Sequence, residues 1–351
     1  MRSVELQIED VAFGGKGVAR DDGKAVFVPF TIDGERISAR LVREKKQFAE
    51  GELVEVLEPS PHRVEPECPY FGRCGGCSYQ HISYAHQLEL KARQVEQAMR
   101  RIGKLSEPPM RPIVPSPSPY GYRNRITVHA QDNVVGFYRR DVHELMDIVH
   151  CPIAMSEVND ALAQLRAKRV RDGHYTLRAQ SGPRVFAQTN DAVADAMTNL
   201  IADILGSERK LLIDAFCGAG FFAKRLAPQF ERVVGIDWDR FAIEAAQKDA
   251  GPKEGYVAGD VTTELRWLLE QSDLGSTALI VDPPATGLSA EMRRAVLDSA
   301  PQTMIYVSCN PPTLARDIAE LQQHFAIVSI TPFDMFPQTA EIEAVVHLKS
   351  L

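Results

Sequence analysis

From Leu211 onward the chain alternates short apolar runs with helix-forming segments, and this alternation constrains the fold more than any other feature. The apolar runs are Leu211 to Phe216, Arg232 to Asp237, Gly255 to Val257, Leu279 to Asp282 and Met304 to Ser308. Between them Phe221 to Leu226, Arg240 to Lys248, Met292 to Asp298 and Leu314 to Gln323 carry helical patterns. Strands separated by helices build a mostly parallel, doubly wound α/β sheet, a Rossmann-like domain over residues 186–351. Such sheets bind ligands beyond the carboxyl ends of their strands, so the residues closing each run are the candidates for chemistry.

Three of those closing segments stand out. Asp214-Ala215-Phe216-Cys217-Gly218-Ala219-Gly220 follows one strand and precedes a helix, with glycines that let the backbone approach a ligand. Asp237, closing the next strand, can accept hydrogen bonds from a ribose. Gly218, Gly220 and Ala223 also fit a loose dinucleotide pattern, which leaves NAD open. An acid at Asp214 suits a ligand with an ammonium group better than a pyrophosphate and favours S-adenosylmethionine; Asp282-Pro283-Pro284 resembles a methyltransferase active-site loop. Cys217 reads as a small core filler. Finally, Tyr306-Val307-Ser308-Cys309-Asn310-Pro311 sets one thiol at a strand's end, where a buried structural cysteine is the plain alternative.

Upstream, residues 1–60 contain short strands at Val4 to Ile8, Ala25 to Pro29, Glu35 to Val42 and Leu53 to Glu58, spaced as in a small OB-like β-barrel. Lys16, Arg20, Arg36, Arg40, Arg43, Lys45 and Lys46 offer a positive stripe there, among as many acids. A proline-rich connector, Pro59 to Pro66, leads to a β-rich central domain over 61–185. Ser83 starts a packing helix running to Ile102, with Leu88, Val95, Met99 and Ile102 on one face, and Ser106 to Pro119 holds six prolines and reads as loop. Arg123, Arg125, Arg139 and Arg140 interleave with Tyr120, Tyr122, Phe137 and Tyr138, a mixture suited to RNA phosphates and stacked bases. Outward arginines between half-buried strand aromatics explain it equally well. A helix over Ser156 to Arg169 and strands from His174 to Gln188 complete this part.

Cys68, Cys74 and Cys77 form a C-x5-C-x2-C array, with Cys151-Pro152 later in the chain. Soft thiolates so spaced suit zinc or an iron–sulfur cluster, and spacing alone does not choose. The six cysteines fit a reducing compartment, and neither a secretory start nor an apolar run of membrane length is evident, so a cytoplasmic protein without a membrane partner is expected. A net charge of -7 excludes an indiscriminate polyanion binder and demands a patchy basic site.

Taken together, Ser-Cys309-Asn-Pro, Asp282-Pro-Pro, Phe186-Ala187-Gln188-Thr189-Asn190 and Asp334-Met-Phe-Pro-Gln-Thr-Ala-Glu-Ile-Glu343 resemble the RNA uracil-C5 methyltransferases, which make 5-methyluridine. The N-terminal strand order and glycine-rich first turn resemble a TRAM domain, an RNA-binding relative of the OB-fold. With the cysteine cluster, they resemble the subgroup that carries a [4Fe-4S] cluster and modifies 23S rRNA. The resemblance implies Cys309 as nucleophile and Glu343 as base, with Gln188 and Asp282 near the methyl donor and Phe216, Gly218, Gly220, Asp237 and Asp260 around it. It implies Cys68, Cys74, Cys77 and Cys151 as cluster ligands, and a monomer acting on RNA. A tRNA enzyme acting at uridine 54 shares the same catalytic residues. Ala285 stands where the family usually has arginine, and Phe221 where it often has Asn or Thr. A cytosine-C5 methyltransferase is disfavoured because no cysteine follows Asp-Pro-Pro; an RNA-binding iron–sulfur redox sensor leaves Cys309 and Glu343 without purpose.

Overall fold

The computed structural model describes residues 2–140, 142–179, 188–206 and 210–351. Phe186 and Ala187, and with them the expected domain boundary at 185/186, lie outside the described residues. Two compact units divide the chain: residues 1–94, 117–181 and 336–341 in one, 95–116, 182–335 and 342–351 in the other.

In the first unit, strands β1 (Ser3–Gln7), β2 (Asp10–Val11), β3 (Lys16–Asp21), β4 (Lys24–Pro29), β5 (Arg36–Glu44) and β6 (Phe48–Glu58) form one sheet ordered β1-β5-β6-β4-β3-β2. Every neighbouring pair is antiparallel except β4 with β6. Strand β3 was not expected. Its charged ends hide it, but Asp22 and Gly23 both take positive φ and make the tight turn that sends it into β4. Leu6, Ile8, Val26, Val28, Ile37 and Leu41 fill the core. The expected positive stripe is largely paired: Lys16 meets Glu50, Arg36 meets Glu5 and Glu58, Arg40 meets Glu52, and Arg43 meets Glu50.

Helix α1 (Tyr84–Arg101) starts after Ser83 as expected, but Leu90 rather than Leu88 is its fully buried leucine, and Ile102 is exposed. The central sheet consists of β7 (Arg125–Gln131), β8 (Val134–Tyr138), β9 (Leu145–Asp147) and β10 (Gly173–Arg178), ordered β10-β7-β8-β9 and antiparallel throughout. Alternation sends Ile126, Val128 and Ala130 of β7 into a core shared with Val158 and Leu162 of α2 (Ser156–Arg166), which ends earlier than expected.

The second unit is the expected α/β domain. Following α3 (Asp191–Leu205) come β11 (Leu211–Ala215), α4 (Phe221–Leu226), β12 (Arg232–Asp237), α5 (Arg240–Lys248), β13 (Glu254–Ala258), α6 (Val261–Glu270), β14 (Thr277–Val281), α7 (Ala290–Asp298), β15 (Thr303–Ser308), α8 (Pro311–Leu321), β16 (Phe325–Phe333) and β17 (Glu343–Ser350). The sheet order is β13-β12-β11-β14-β15-β17-β16. Five strands are parallel, and β17 inserts antiparallel between β15 and β16. The proline-rich loop guards the outer edge: Pro109 and Val114 carbonyls accept from Ile330 and Asp334 N–H, while Arg111 and Val114 N–H donate to Ile330 and Pro332 carbonyls, all at 2.8–2.9 Å. An edge so covered offers no template for another strand. Among the described residues no helix is long and apolar enough to cross a membrane.

Candidate active site at the carboxyl edge of the sheet

Strand register, more than sequence distance, assembles this site. Across the antiparallel pair β15/β17 the last paired residues are Ser308 and Ala344. Cys309, in the bend that follows Ser308, and Glu343, the first residue of β17, flank that last pair, so both sit at the same edge of the sheet. On the other side of β15, Val281 pairs with Tyr306, so Asp282 emerges at the same edge. Cys309 is half-buried, whereas Glu343 is 5% exposed. Glu341, chemically identical, is exposed and precedes the strand, so strand alternation does not apply to it.

The turn bearing Cys309 is stiff. Asn310 caps α8, its Oδ1 accepting from Thr313 N at 3.1 Å, and its own N–H donates to Ser308 Oγ at 3.2 Å; Pro311 follows at the first helical position. The same helix grips the loop after Asp282-Pro283-Pro284. Thr313 Oγ1 donates to the Ala285 carbonyl and Arg316 to that of Thr286, each at 3.0 Å. Beneath them the buried Asp317 accepts from Tyr306 Oη at 2.7 Å, Leu288 N at 2.8 Å, and the Arg293 and Arg316 guanidiniums. A carboxylate with this many donors ties β15, α8 and the β14–α7 loop into one body. Ala285, lacking a guanidinium, contributes only its carbonyl here.

The cofactor turn is equally constrained. Phe216 takes φ 67°, costly for a bulky residue and common where a site imposes strain. Its N–H and that of Cys217 both donate to the Ile236 carbonyl, at 2.9 and 3.0 Å. Gly220 is left-handed at φ 82°, and a Cβ there would lie 2.7 Å from the Tyr256 hydroxyl, so only glycine fits. Cys217 is buried, as a core filler should be. Asp237 accepts from Gly218 N at 2.8 Å and Asp239 N at 2.9 Å, which fixes its carboxylate at the β12 end.

Asp214 is fully buried. Its Oδ2 accepts from Ala223 N at 2.9 Å, but its Oδ1 meets no hydrogen-bond donor. Burial, with the charges of Asp282 and Asp237 adding, raises the Asp214 carboxyl to about 8, and burial raises Asp282 to about 7. An edge with an orphaned acid oxygen and two acids reluctant to ionise fits a ligand that brings an ammonium group. Asp260 is exposed and caps α6, and the Thr263 hydrogen bonds hold its carboxyl low. Gln188 is buried, while Asn190 caps α3 and donates to Ser116 Oγ at 3.0 Å. Trp238 and Phe241, which the sequence reading missed, leave large rings 72% and 79% exposed just beyond Asp237; Trp238 follows a strand-closing acid, the one signal that could have found it.

The sequence pattern of the tRNA (Uracil-5-)-methyltransferase family matches residues 166–254 and 268–351, and that of the TRAM domain matches residues 2–54. An uncharacterized RNA methyltransferase of Bdellovibrio bacteriovorus is 31% identical over 376 residues, spanning 99% of this chain and 95% of that protein. Another, from Protochlamydia amoebophila, is 30% identical over 427 residues, with 99% and 98% covered. The chain belongs to the RNA (uracil-5-)-methyltransferase family. Among solved structures, the Pyrococcus abyssi tRNA (uracil-54, C5)-methyltransferase in complex with S-adenosyl-L-homocysteine shares the fold: TM-score 0.75 at 23% identity, over 98% of this chain and 100% of that one. S-adenosylmethionine is therefore the methyl donor of this methyltransferase and RNA its acceptor; NAD is set aside.

The methyltransferase's cysteine array lies in the first unit. Burial pushes the Cys77 thiol up to about 12, with the charges of Cys151, Cys74 and Cys68 adding, and raises Cys151 to about 11 and Cys74 as well. Each of these three thiols feels the charge of Cys68 among others, so the four share a neighbourhood. Yet among the described residues no group of three or more His, Cys, Asp or Glu could hold a metal ion, so neither the expected iron–sulfur cluster nor its zinc alternative is shown. Gly76 N–H points at Cys74 Sγ, 3.4 Å away, and Arg140 donates to the Cys77 carbonyl at 2.7 Å. Arg123 and Arg125, expected at RNA, are both half-buried: Arg123 Nε donates to the Arg125 carbonyl at 3.2 Å and Arg125 Nε to Asn124 Oδ1 at 2.9 Å. Arg123 thus serves the backbone at the start of β7.

Proposed function

We propose that this methyltransferase methylates C5 of a specific uridine in 23S rRNA, with Cys309 as nucleophile and Glu343 as base. The observation that supports the reading is the β15/β17 register, whose last pair, Ser308 with Ala344, is flanked by these two residues at the edge where Asp282 also emerges. C5 of uracil is a poor nucleophile. Addition of the Cys309 thiolate to C6 shifts the C5–C6 electron pair, leaving C5 enolate-like and able to take a methyl group. S-adenosylmethionine, when bound, supplies that methyl in activated form. Glu343 then removes the C5 proton, the C5–C6 double bond re-forms, and the Cys309 Sγ–C6 bond breaks, so that a methyl has replaced one hydrogen. Gln188 and Asp282 flank the reacting groups, the Phe216-to-Gly220 turn and Asp237 hold the donor's amino acid and ribose parts, and Asp260 lies at its periphery. The target base must leave its stack, at a cost of a few kcal/mol that RNA contacts outside the catalytic domain offset. Residues 1–60 and 61–185 serve as the RNA-holding modules and 186–351 as the catalytic one.

Incubation with methyl-labelled S-adenosylmethionine and either 23S rRNA or tRNA, followed by nucleoside analysis, tests this reading. Label in 5-methyluridine of 23S rRNA is the expected result. Label in tRNA alone would transfer the reading to uridine 54, the substrate named for the Pyrococcus abyssi structure. Label in 5-methylcytidine would overturn the chemistry.

The four clustered cysteines, by the same reading, hold a [4Fe-4S] group. Cys68, Cys74, Cys77 and Cys151 supply four soft thiolates, one for each iron of such a group. Anaerobically purified protein should be brown and carry about four irons per chain. Cys77→Ser should bring iron to near zero; one zinc per chain without iron would refute the cluster.

A further inference from the structure

The open face of the central sheet has no role in the chemistry above. Ile126, Val128 and Ala130 of β7 turn into the core, so Arg125, Thr127 and His129 turn outward. Their partners on β10 are Arg178, Thr176 and His174. Three rungs result, about 6.6 Å apart along the strand: two arginines, then two threonines whose hydroxyls meet at 3.1 Å, then two histidines. The histidine end widens into a cluster of rings. His129 lies 4.5 Å from His174 and 4.3 Å from Tyr138 between centroids, and Tyr138 stacks on His143 at 4.1 Å and 24°. Thr127, His143, His174 and Thr176 are exposed.

Two observations decide what this face takes. His129 Nδ1 is shut from solvent without a hydrogen-bond partner, and burial with His174 and His143 nearby lowers the His129 pKa, so its ring stays neutral and suited to stacking. The acids bordering the face are engaged elsewhere: Glu144 pairs with Arg139, and Asp172 accepts from Asp132 N. Stacked rings at one end and guanidiniums at the other complement a chain of bases strung on phosphates. A four-stranded antiparallel sheet with rings on its open face is a known way of stacking splayed RNA bases.

We propose that the outward face of β10-β7-β8 binds a single-stranded segment of the substrate RNA outside the target nucleotide, with bases on the His129, His174, Tyr138 and His143 rings and phosphates on Arg125 and Arg178. The proposal rests on RNA being the substrate and not on the roles of Cys309 and Glu343.

Fluorescence anisotropy of the full chain with a single-stranded oligouridine of about ten nucleotides tests it, alongside steady-state methylation of the RNA identified above. In the exposed-site double variant His174→Glu, Thr176→Glu, affinity for the oligonucleotide should fall at least about tenfold, the loss expected for one stacked base plus two added negative charges. KM for RNA should rise by a similar factor while kcat and S-adenosylmethionine affinity stay unchanged. His174→Phe, which keeps a ring, should bind within about twofold of the parent. Unchanged anisotropy would overturn the proposal. So would a fall in kcat at constant KM, or a change in oligomeric state without a change in RNA affinity, which would assign the face to a second copy of the chain. Should the parent methylate no uridine while the double variant still loses the oligonucleotide, the uridine reading fails and this one stands.

Discussion

Cys309→Ala abolishes methyl transfer, by about 10^4-fold or more, while S-adenosylmethionine binds within about twofold of the parent. The size of the loss follows from the chemistry: without addition to C6, C5 has no electron pair to offer, and removal of an essential nucleophile costs several orders of magnitude. Selectivity follows from the geometry. Cys309 projects from the turn between β15 and α8, whose shape is held by Asn310, Pro311 and Ser308 rather than by the thiol. The orphaned Asp214 oxygen and the Phe216-to-Gly220 turn, proposed above to hold the donor, belong to β11 and the turn after it. Single-turnover label incorporation measures the first effect and titration calorimetry with S-adenosylmethionine the second. Turnover near the parent value in this variant would remove Cys309 from the reaction. Loss of cofactor affinity in step with activity would make it a structural cysteine.

How far such a reading could be made before the structure depended on where the information resides. Strands β11, β12, β14 and β15 are continuous apolar runs ended by Asp, Pro or Asn, and burial on both faces leaves them no other conformation. Helix α3 went unread although Val193, Met197, Ile201 and Leu205 recur at helical spacing behind an Asn190 cap; α6 was missed likewise. Strands β16 and β17 were beyond a pattern that expects a helix between neighbours, because their pairing is antiparallel and long-range. That pairing is also what separates Glu343 from Glu341, a distinction no periodicity could make. Charge was the least legible property. A count of lysines and arginines in residues 1–60 suggests a positive stripe, whereas the folded sheet sets an acid beside Lys16, Arg36, Arg40 and Arg43. Contacts gather the chain into two units, with residues 95–116 in the α/β unit and 336–341 in the other, an exchange of segments that no local pattern announces.

Glu343→Gln should divide the reaction at its last step. Glutamine keeps the shape of the buried residue at the start of β17 but cannot accept a proton, so addition of the thiolate to C6 and capture of the methyl at C5 go forward while the C5 proton stays in place. With that proton held, the C5–C6 double bond cannot re-form and Sγ cannot leave. A methylated RNA joined to the protein through Cys309 should accumulate, stable to denaturing electrophoresis and carrying methyl label, as turnover falls by about 10^2- to 10^4-fold. Glu341→Gln, altering an exposed carboxylate outside the strand, should turn over within about twofold of the parent. Adding Cys309→Ala to Glu343→Gln should erase the adduct altogether, since the bond that traps the RNA can no longer form. An adduct without methyl label would place the block before transfer and make Glu343 a group that positions the base; undiminished turnover in Glu343→Gln would hand the proton to another acceptor.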